Sequence, residues 1–301
     1  MPKEGLNWLS RTEILTYEEM LRICTLLIRM GVDKIRITGG EPFVRKDIMQ
    51  FLGELSHNPQ LRDLSITTNG VLTAPLVPEL KKLGVRSVNL SLDTLDRDRF
   101  FAITYRDELD KVMQTLEQLL RYNLEVKINA VVMEGKNTQD IQALAALTRE
   151  LPVKVRFIEQ MPFNGRNAGF SGITWNHARI LQELQLHYPA ITKIQDPPFS
   201  TAYNYHIPGH KGDVGIIAAY TRSFCGTCNR IRLTAQGMLK TCLYGEGVLN
   251  LRDMARTHTG DEALMQALQQ AVYHREEDGW KAEGISVRNH PVHESMAAIG
   301  G

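Results

Sequence analysis

The sequence lacks several features that define common classes of protein. It has no excess of positive charge, because 35 lysines and arginines face 34 aspartates and glutamates in 301 residues. A broad nucleic-acid surface needs such an excess, so we expect no nucleic-acid partner and anion binding only at a local cluster. No apolar run approaches the roughly 20 residues that cross a bilayer, and the first residues form no secretory signal. With only four cysteines, the composition favours a cytoplasmic protein without disulfides or membrane contact.

Short β-branched runs alternate with longer amphipathic segments through the first 160 residues. Amphipathic helices are predicted at 16–31 and 107–123. The predicted strands lie at 33–42, 64–70, 86–93, 126–133 and 153–161. Strand and helix alternating in this way predict a parallel sheet with right-handed crossovers. Such a sheet is either open and doubly wound or most of a barrel.

Polar and apolar residues alternate within these strands, as where Lys34 and Arg36 flank Ile35. The polar positions of the later strands are Asn89, Ser91, Asp93, Lys127, Asn129, Lys154 and Arg156. Because side chains of a strand point alternately to opposite faces, one face packs against helices and the other is polar and cationic. In a barrel that face lines the lumen, where its cations select an anionic ligand. The alternative is a half-exposed antiparallel sheet, against which the intervening helices argue.

The character of the chain changes after residue 161. Short strands of a small separate layer are predicted at 213–220, 230–235 and 237–244. The last two form a hairpin with Gln236–Gly237 as its turn, and a helix at 260–277 precedes a polar tail. We therefore predict two domains, residues 1–163 and residues 164–301.

Three of the four cysteines fall in one stretch, at Cys225, Cys228 and Cys242. Two thiolates separated by two residues can reach one metal centre from a single turn. The spacing fits structural zinc with His206 or His210 as the fourth ligand, and it equally fits an iron–sulfur cluster.

Arg230 and Arg232, between these cysteines, favour the cluster, because a structural zinc site needs no cations. A [4Fe–4S] cluster with three protein thiolates leaves one iron open to a substrate, and two guanidiniums could hold that substrate's phosphates. Cys24 lies on the apolar side of a predicted helix, where a core cysteine is expected.

Several segments taken together resemble the GTP 3',8-cyclase family of radical S-adenosylmethionine (SAM) enzymes, which begin molybdenum cofactor biosynthesis. These segments are KIRITGGEPFVRKD, TTNG, NLSLDTLD, VKINAVVM, VRFIEQMPF, FCGTCNRIRLTAQGMLKTCLYGEG and the terminal Gly-Gly. The resemblance implies an α/β fold, a partial (β/α)6 radical-SAM barrel whose first strand is missing. It also implies a smaller C-terminal α+β region that carries a second iron–sulfur site.

The family reaction begins at an N-terminal [4Fe–4S] cluster, where SAM is cleaved to a 5'-deoxyadenosyl radical. This radical removes hydrogen from C3' of GTP, and the resulting carbon radical attacks C8 of guanine. The product is (8S)-3',8-cyclo-7,8-dihydroguanosine 5'-triphosphate. A C-terminal [4Fe–4S] cluster holds the guanine through its open iron.

The resemblance carries these roles to particular residues. Cys225, Cys228 and Cys242 would ligate the C-terminal cluster. GTP would be bound by Lys34, Arg36, Thr67, Lys127, Arg156, Arg230, Ile231 and Arg232. SAM would be bound by Gly40, Glu41, Ser91 and Met161. The tail, Gly300 and Gly301, would reach the active site. A homodimer is expected, with its product passed to the pyranopterin monophosphate synthase.

The sequence departs from the family at its start, because the C-x3-C-x2-C motif of the radical-generating cluster is absent. As written, the chain cannot make the radical. We expect that Met1 is a misplaced start and that a longer product carries the second cluster, which the upstream in-frame DNA would test. The alternatives are a non-catalytic GTP-binding protein with a single cluster and a zinc-stabilised binding domain.

Overall fold

The computed structural model describes residues 9–161, 173–257 and 259–289. These residues form two compact units. The first contains residues 65–161 and 173–228, and the second contains residues 9–64, 229–257 and 259–289. The predicted boundary between residues 163 and 164 lies outside the described residues, so the predicted division stays a prediction.

The helices and strands are numbered in chain order. The helices are α1 (Tyr17–Arg29), α2 (Ile48–Ser56), α3 (Val77–Lys82), α4 (Arg97–Thr104), α5 (Leu109–Arg121), α6 (Ile141–Glu150), α7 (His177–His187), α8 (Leu251–Arg256), α9 (Asp261–Tyr273) and α10 (Gly279–Asn289). The strands are β1 (Lys34–Ile37), β2 (Asp63–Thr68), β3 (Ser87–Ser91), β4 (Glu125–Val132), β5 (Lys154–Glu159), β6 (Thr192–Lys193), β7 (Ala202–His206), β8 (Asp213–Ile217), β9 (Arg232–Leu233), β10 (Met238–Lys240) and β11 (Leu249–Asn250). None of the described helices combines the length and apolarity that a membrane crossing requires.

A mostly parallel sheet forms the centre of the first unit. Its described strands run in the order β2-β3-β4-β5-β8-β7-β6. The pairs from β2 to β5 and the β5–β8 pair are parallel, whereas β7 and β6 add antiparallel. This confirms the predicted α/β fold. The separate layer predicted for 213–220 is wrong, because Asp213–Ile217 pairs with β5 and satisfies the backbone groups at that edge.

One face of this sheet is apolar and fully buried. Val88, Val126, Val155 and Ile216 all have 0% exposure, and helices α5, α6 and α7 contact β4, β5 and β8. Burying one such side chain stabilises the fold by about 1.5–3 kcal/mol. The opposite face is therefore the one on which polar residues can meet a ligand.

The core of the second unit is formed by an N-terminal segment, residues 15–27, and a C-terminal segment, residues 239–268. Helix α1 begins with a capping box, in which the Glu19 amide donates to Thr16 Oγ1 at 3.2 Å and the Thr16 amide donates to Glu19 Oε2 at 2.8 Å. Apolar residues of this helix pack against β10, α8 and α9. The fully buried members are Ile23, Leu26, Leu239, Leu251, Leu264 and Leu268.

The hairpin and the C-terminal helices of this unit also test the sequence predictions. Strand β9 pairs antiparallel with β10, as predicted, but the turn lies one residue earlier, at Ala235–Gln236. Gly237 follows with φ +83°, and a Cβ there would lie 2.4 Å from Arg252 Cβ. The helix predicted at 260–277 is confirmed as α9, whereas α10 replaces the start of the predicted polar tail.

Candidate functional site

Two rows of mostly polar residues cross one face of the first unit's sheet. Neighbouring strands place residues in register, so paired side chains share a face. The first row is Thr67, Asn89, Lys127 and Lys154. The second row is Ser91, Asn129, Arg156 and Gly215. The structure therefore brings Lys127, Arg156 and Ser91 to one face, as the alternation predicted, and it places Thr67, which only the resemblance had named, on the same face.

This face holds buried polar atoms that have no hydrogen-bond partner among the described residues. They are Ser87 Oγ, Asn89 Oδ1 and Asn129 Oδ1. Asn89 is only 1% exposed, and its other amide atom, Nδ2, donates to Thr67 Oγ1 at 3.1 Å. An unsatisfied buried polar group costs about 1–3 kcal/mol. Three such atoms on one face are what we expect of a surface that binds a polar ligand.

Lys127 supplies a buried positive charge to the same face. Its side chain is only 10% exposed, and its Nζ lies 3.1 Å from Glu125 Oε1. Lys154 Nζ lies 3.1 Å from the same oxygen. Burial raises the pKa of Glu125, but the two ammonium groups lower that pKa by more, so the net shift is downward. Two cations therefore share one carboxylate on this face of the sheet.

Arg156 lies beside a position where the sheet has no side chain. A Cβ added to Gly215 would lie 3.4 Å from Arg156 Cγ and 3.3 Å from Ala202 Cβ. Glycine at this position therefore leaves room for the arginine stem to cross β8. This contact makes Gly215 a candidate site residue that the sequence analysis did not name, and its only sequence signal is a glycine inside a strand.

The SAM candidates of the first unit lie at the carboxyl ends of strands. Ser91 ends β3 and is exposed, and Met161 follows β5 and is half-buried. Ligands of parallel α/β sheets bind at this edge. Asp93, not predicted as a site residue, lies there too, and its Oδ1 accepts from the Val131 amide at 2.8 Å.

In the second unit, Gly40 and Glu41 follow β1. A Cβ on Gly40 would meet no heavy atom within 4 Å, so the main chain there is open to a ligand. The Glu41 carboxylate accepts from the Phe43 amide at 3.3 Å, which caps the following turn. These positions fit contact through the main chain more directly than through the Glu41 side chain.

The second unit also carries a group of cations. Lys34 Nζ lies 2.5 Å from Asp63 Oδ2. In contrast, no acidic side chain in the described part of the chain forms an ion pair with Arg36. Burial and the charge of Arg230 lower the pKa of Arg36, while Asp63 acts in the opposite direction. The like charge of Arg230 near Arg36 makes this part of the second unit electrostatically favourable for an anion.

Ile231 and Arg232 lie next to that pair of guanidiniums in the sequence. The Ile231 side chain packs against the core of the second unit, which leaves its main chain as the group that could contact a ligand. Arg232 begins β9, opposite the buried Lys240.

Cys225 and Cys228 lie in one short turn of the first unit. Residues Cys225–Thr227 form a 3₁₀ turn, and the Cys228 amide donates to the Cys225 carbonyl at 3.1 Å. Both thiols are half-buried, and so is Cys242 in the second unit. Across the described residues, no three histidine, cysteine, aspartate or glutamate side chains are grouped as metal ligands. The three-thiolate ligand set therefore stays a prediction.

The two histidines considered as zinc ligands have other partners in the first unit. His206 Nδ1 lies 3.0 Å from Asp213 Oδ1, and His210 Nδ1 lies 2.7 Å from Thr148 Oγ1. These contacts hold both rings within the sheet and its helices and give the zinc alternative no support.

Cys24 is a core residue, as predicted. It is 8% exposed, and burial raises the pKa of its thiol to about 12. A thiol of this kind is a poor metal ligand at neutral pH, because ligation requires the thiolate. Gly300 and Gly301 lie outside the described residues.

Comparisons with known proteins match both parts of the chain. Residues 4–148 match the Radical SAM superfamily, and residues 153–280 match Molybdenum Cofactor Synthesis C. GTP 3',8-cyclase of Desulforamulus reducens is 38% identical over 288 residues, which cover 93% of this chain and 89% of that protein. Mitochondrial GTP 3',8-cyclase of Arabidopsis thaliana is 41% identical over 280 residues, covering 90% of this chain and 70% of that protein.

Molybdenum cofactor biosynthesis protein 1 of Bos taurus is 40% identical over 90% of this chain, but the chain spans only 43% of its length. Among solved structures, Streptococcus suis SuiB bound to S-adenosylmethionine has a TM-score of 0.59 at 16% identity. That match covers 89% of this chain and 61% of SuiB. At this identity the likeness concerns the fold alone.

The parallel sheet with its polar face, together with these matches, defines a radical SAM protein. Proteins of this class use a [4Fe–4S] cluster and S-adenosylmethionine. At 38–41% identity to relatives that it covers by 70% or more, the chain belongs to the GTP 3',8-cyclase family.

Proposed function

We propose that this chain provides the GTP-binding part of a GTP 3',8-cyclase, the enzyme of the first step of molybdenum cofactor biosynthesis. The observation that carries the proposal is the cationic sheet face with Lys127, Arg156 and unpartnered amide oxygens. The chain spans only 43% of the length of the Bos taurus relative. Its activity and its substrate are therefore part of this proposal. GTP is the substrate in the names of the Arabidopsis thaliana and Desulforamulus reducens relatives, of which the chain covers 70% and 89%.

The triphosphate would be held by the cations that the family resemblance assigns to it. Lys127 and Arg156 lie on the polar face of the sheet, and the others are Lys34, Arg36, Arg230 and Arg232. Arginines suit this role because their planar donors form paired hydrogen bonds with phosphate oxygens. Thr67 and the Ile231 main chain would contact the nucleoside.

S-adenosylmethionine would occupy the carboxyl edge of the sheet. Ser91 and Met161 lie there, and the family resemblance also assigns Gly40 and Glu41 to this ligand.

The donor set fits one iron–sulfur cluster. Cys225 and Cys228 present two accessible thiols from one turn, and Cys242 would be the third ligand. Three thiolates leave one iron of a [4Fe–4S] cluster open, where it could bind the guanine. The C-x3-C-x2-C motif of a radical-generating cluster is absent from the 301 residues, and buried Cys24 does not replace it. We therefore derive no step through that second cluster.

The contribution of these residues is to hold one molecule at two places. The reaction joins C3' of the ribose to C8 of the base within the same nucleotide. Fixing the phosphates at one end and the base at the other restricts the rotations that separate these atoms. Restriction of this kind contributes a large share of many rate enhancements.

GTP titration of the anaerobically reconstituted protein tests this proposal. Lys127→Met should weaken GTP binding at least about tenfold, since it removes a buried charge that faces the ligand. Lys111→Met, which changes an exposed lysine of α5, is the matched control and should leave binding unchanged. Equal GTP affinity in both variants, or no GTP binding by the unaltered chain, would contradict the proposal.

A non-catalytic GTP-binding protein with one cluster is the second candidate, because the sequence supplies thiols for one cluster only. Sequencing the upstream in-frame DNA separates the two, since only the cyclase requires a C-x3-C-x2-C motif. The homodimer, the transfer of product to the pyranopterin monophosphate synthase and the cytoplasmic location stay predictions. Light scattering of the purified protein would test the first of these.

A further inference from the structure

Glu159 is a buried carboxylate to which the sequence analysis gave no role. It is the last residue of β5 and is 0% exposed. Its two oxygens accept from the amides of His177, Tyr220 and Thr221 at 2.7, 2.9 and 2.8 Å. Thr221 Oγ1 also donates, at 3.0 and 3.1 Å. Burying a charge is costly unless it is fully hydrogen-bonded, and these donors meet that condition.

These donors come from two segments that are distant in the sequence. One is the start of α7, which follows the undescribed residues 162–172. The other is the turn after β8, which leads directly to the Cys225–Cys228 turn. Glu159 therefore fixes that second segment to the carboxyl end of β5, two residues before Met161.

A series of backbone hydrogen bonds continues from Glu159 to the cysteines. The Arg222 amide donates to the Ala218 carbonyl at 2.9 Å, and the Cys225 amide donates to the Arg222 carbonyl at 3.1 Å. The Cys228 amide then donates to the Cys225 carbonyl at 3.1 Å. Arg222 has φ +56°, a strained value for a residue with a side chain. Such a conformation persists only where contacts on both sides hold it.

We propose that Glu159 is a positioning residue that holds the Cys225–Cys228 turn in a fixed place against β5. The inference rests on the proposed cluster site and assigns to that site an anchor outside its ligands. Without the carboxylate, the Thr221 segment loses its attachment, and the cysteine turn loses its fixed starting point. The two thiols then no longer keep one orientation relative to the strand.

Hydrogen exchange of the cluster-free protein tests the position of the turn directly. Glu159→Gln replaces one accepting oxygen by a donor that faces amide hydrogens. We expect amide exchange in residues 222–228 to accelerate about tenfold, the effect of losing a buried hydrogen bond on local opening. Exchange in α5 should not change. Glu150→Gln, an exposed glutamate paired with Lys211, is the control and should match the unaltered chain.

A second pair of variants distinguishes loss of this contact from general misfolding. Thr221→Val removes only the hydroxyl donor and should give a smaller acceleration, while Thr221→Ser should restore slow exchange. After anaerobic reconstitution, Glu159→Gln should hold less iron or show a changed electron paramagnetic resonance spectrum. Unchanged exchange in residues 222–228, or equal acceleration in α5, would overturn the proposal.

The test of the proposed cluster site is separate from the test of Glu159. An unaltered chain that assembles no cluster contradicts the proposed cluster site. The exchange measurement on the cluster-free protein still decides whether Glu159 holds the turn.

Discussion

Replacing Asp93 by asparagine should stabilise the ligand-free protein at neutral pH. Asp93 lies two residues beyond β3, and its Oδ1 accepts from the Val131 amide at 2.8 Å. Burial raises the pKa of this carboxyl from 3.8 to about 6, although the Val131 hydrogen bond acts in the opposite direction. Asparagine keeps the accepting oxygen and carries no charge, so it removes the cost of burying the carboxylate.

The magnitude follows from the shift in pKa. A folded-state pKa above the unfolded value means that the folded protein binds the extra proton between about pH 4 and pH 6. The free energy of unfolding therefore falls as the pH rises through this window. A shift from 3.8 to about 6 corresponds to an upper limit of about 3 kcal/mol. Asp93 is partly accessible, so we expect about 1–2 kcal/mol at pH 7.

Urea unfolding at pH 4 and pH 7, followed by circular dichroism, measures the effect. Asp93→Asn should exceed the unaltered chain in stability at pH 7 and match it at pH 4. Asp107→Asn is the control of opposite sign, because the hydrogen bond from Arg97 lowers the pKa of Asp107. A variant that is equal or weaker at pH 7, with the pH dependence of the unaltered chain, would refute the reasoning.

Three further substitutions or reactions test other parts of the structure. Gly70→Ala should destabilise the first unit by about 2 kcal/mol in urea unfolding. Gly70 has φ +80°, and a Cβ there would lie 2.6 Å from Leu90 Cδ1. Unchanged stability would contradict this prediction. Gly215→Val should displace Arg156 and weaken GTP binding about tenfold in calorimetry, with an unchanged circular dichroism spectrum. Cys24, with its pKa of about 12, should resist iodoacetamide at pH 8 until urea unfolds the protein, and rapid labelling of the folded chain would show that it is not in the core.

The strands of the first unit could be predicted because their signal is local. A period of two in polar and apolar residues identifies a strand and its two faces from a few neighbours. Predicted segments such as 126–133 match β4, at Glu125–Val132, within one residue. The same pattern placed Lys127 and Arg156 on one face, since the apolar residues of each strand determine which side packs against the helices.

The place of β8 could not be found in that way, because pairing partners are not local. Asp213–Ile217 was assigned to a separate layer, yet it lies beside β5, more than 50 residues earlier in the sequence. Its nearly continuous apolar run was the available signal, since parallel strands covered on both faces show that composition. Helix α10 was missed for a related reason. Its buried Ala282 packs beside Gly245, a contact between two small residues that gives no periodic pattern.

Glu159 is an example of a residue whose role could not be predicted from the sequence. In the sequence it is an acid at the end of a strand, and nothing adjacent indicates burial. Its hydrogen-bond donors at His177, Tyr220 and Thr221 lie 18, 61 and 62 residues away. Only the fold brings them together, and only their number shows that the carboxylate is held in one place.

The same sheet illustrates how a binding face differs from a core face at equal burial. Val88 and Asn89 are neighbours in β3, with 0% and 1% exposure. The valine gains stability from its burial, whereas the unpartnered Asn89 Oδ1 lowers it. Folding alone would favour an apolar residue at both positions. We expect a polar face kept at this cost to bind a ligand that supplies the missing hydrogen bonds, and the positive charge of Lys127 and Arg156 on that face would favour an anionic one.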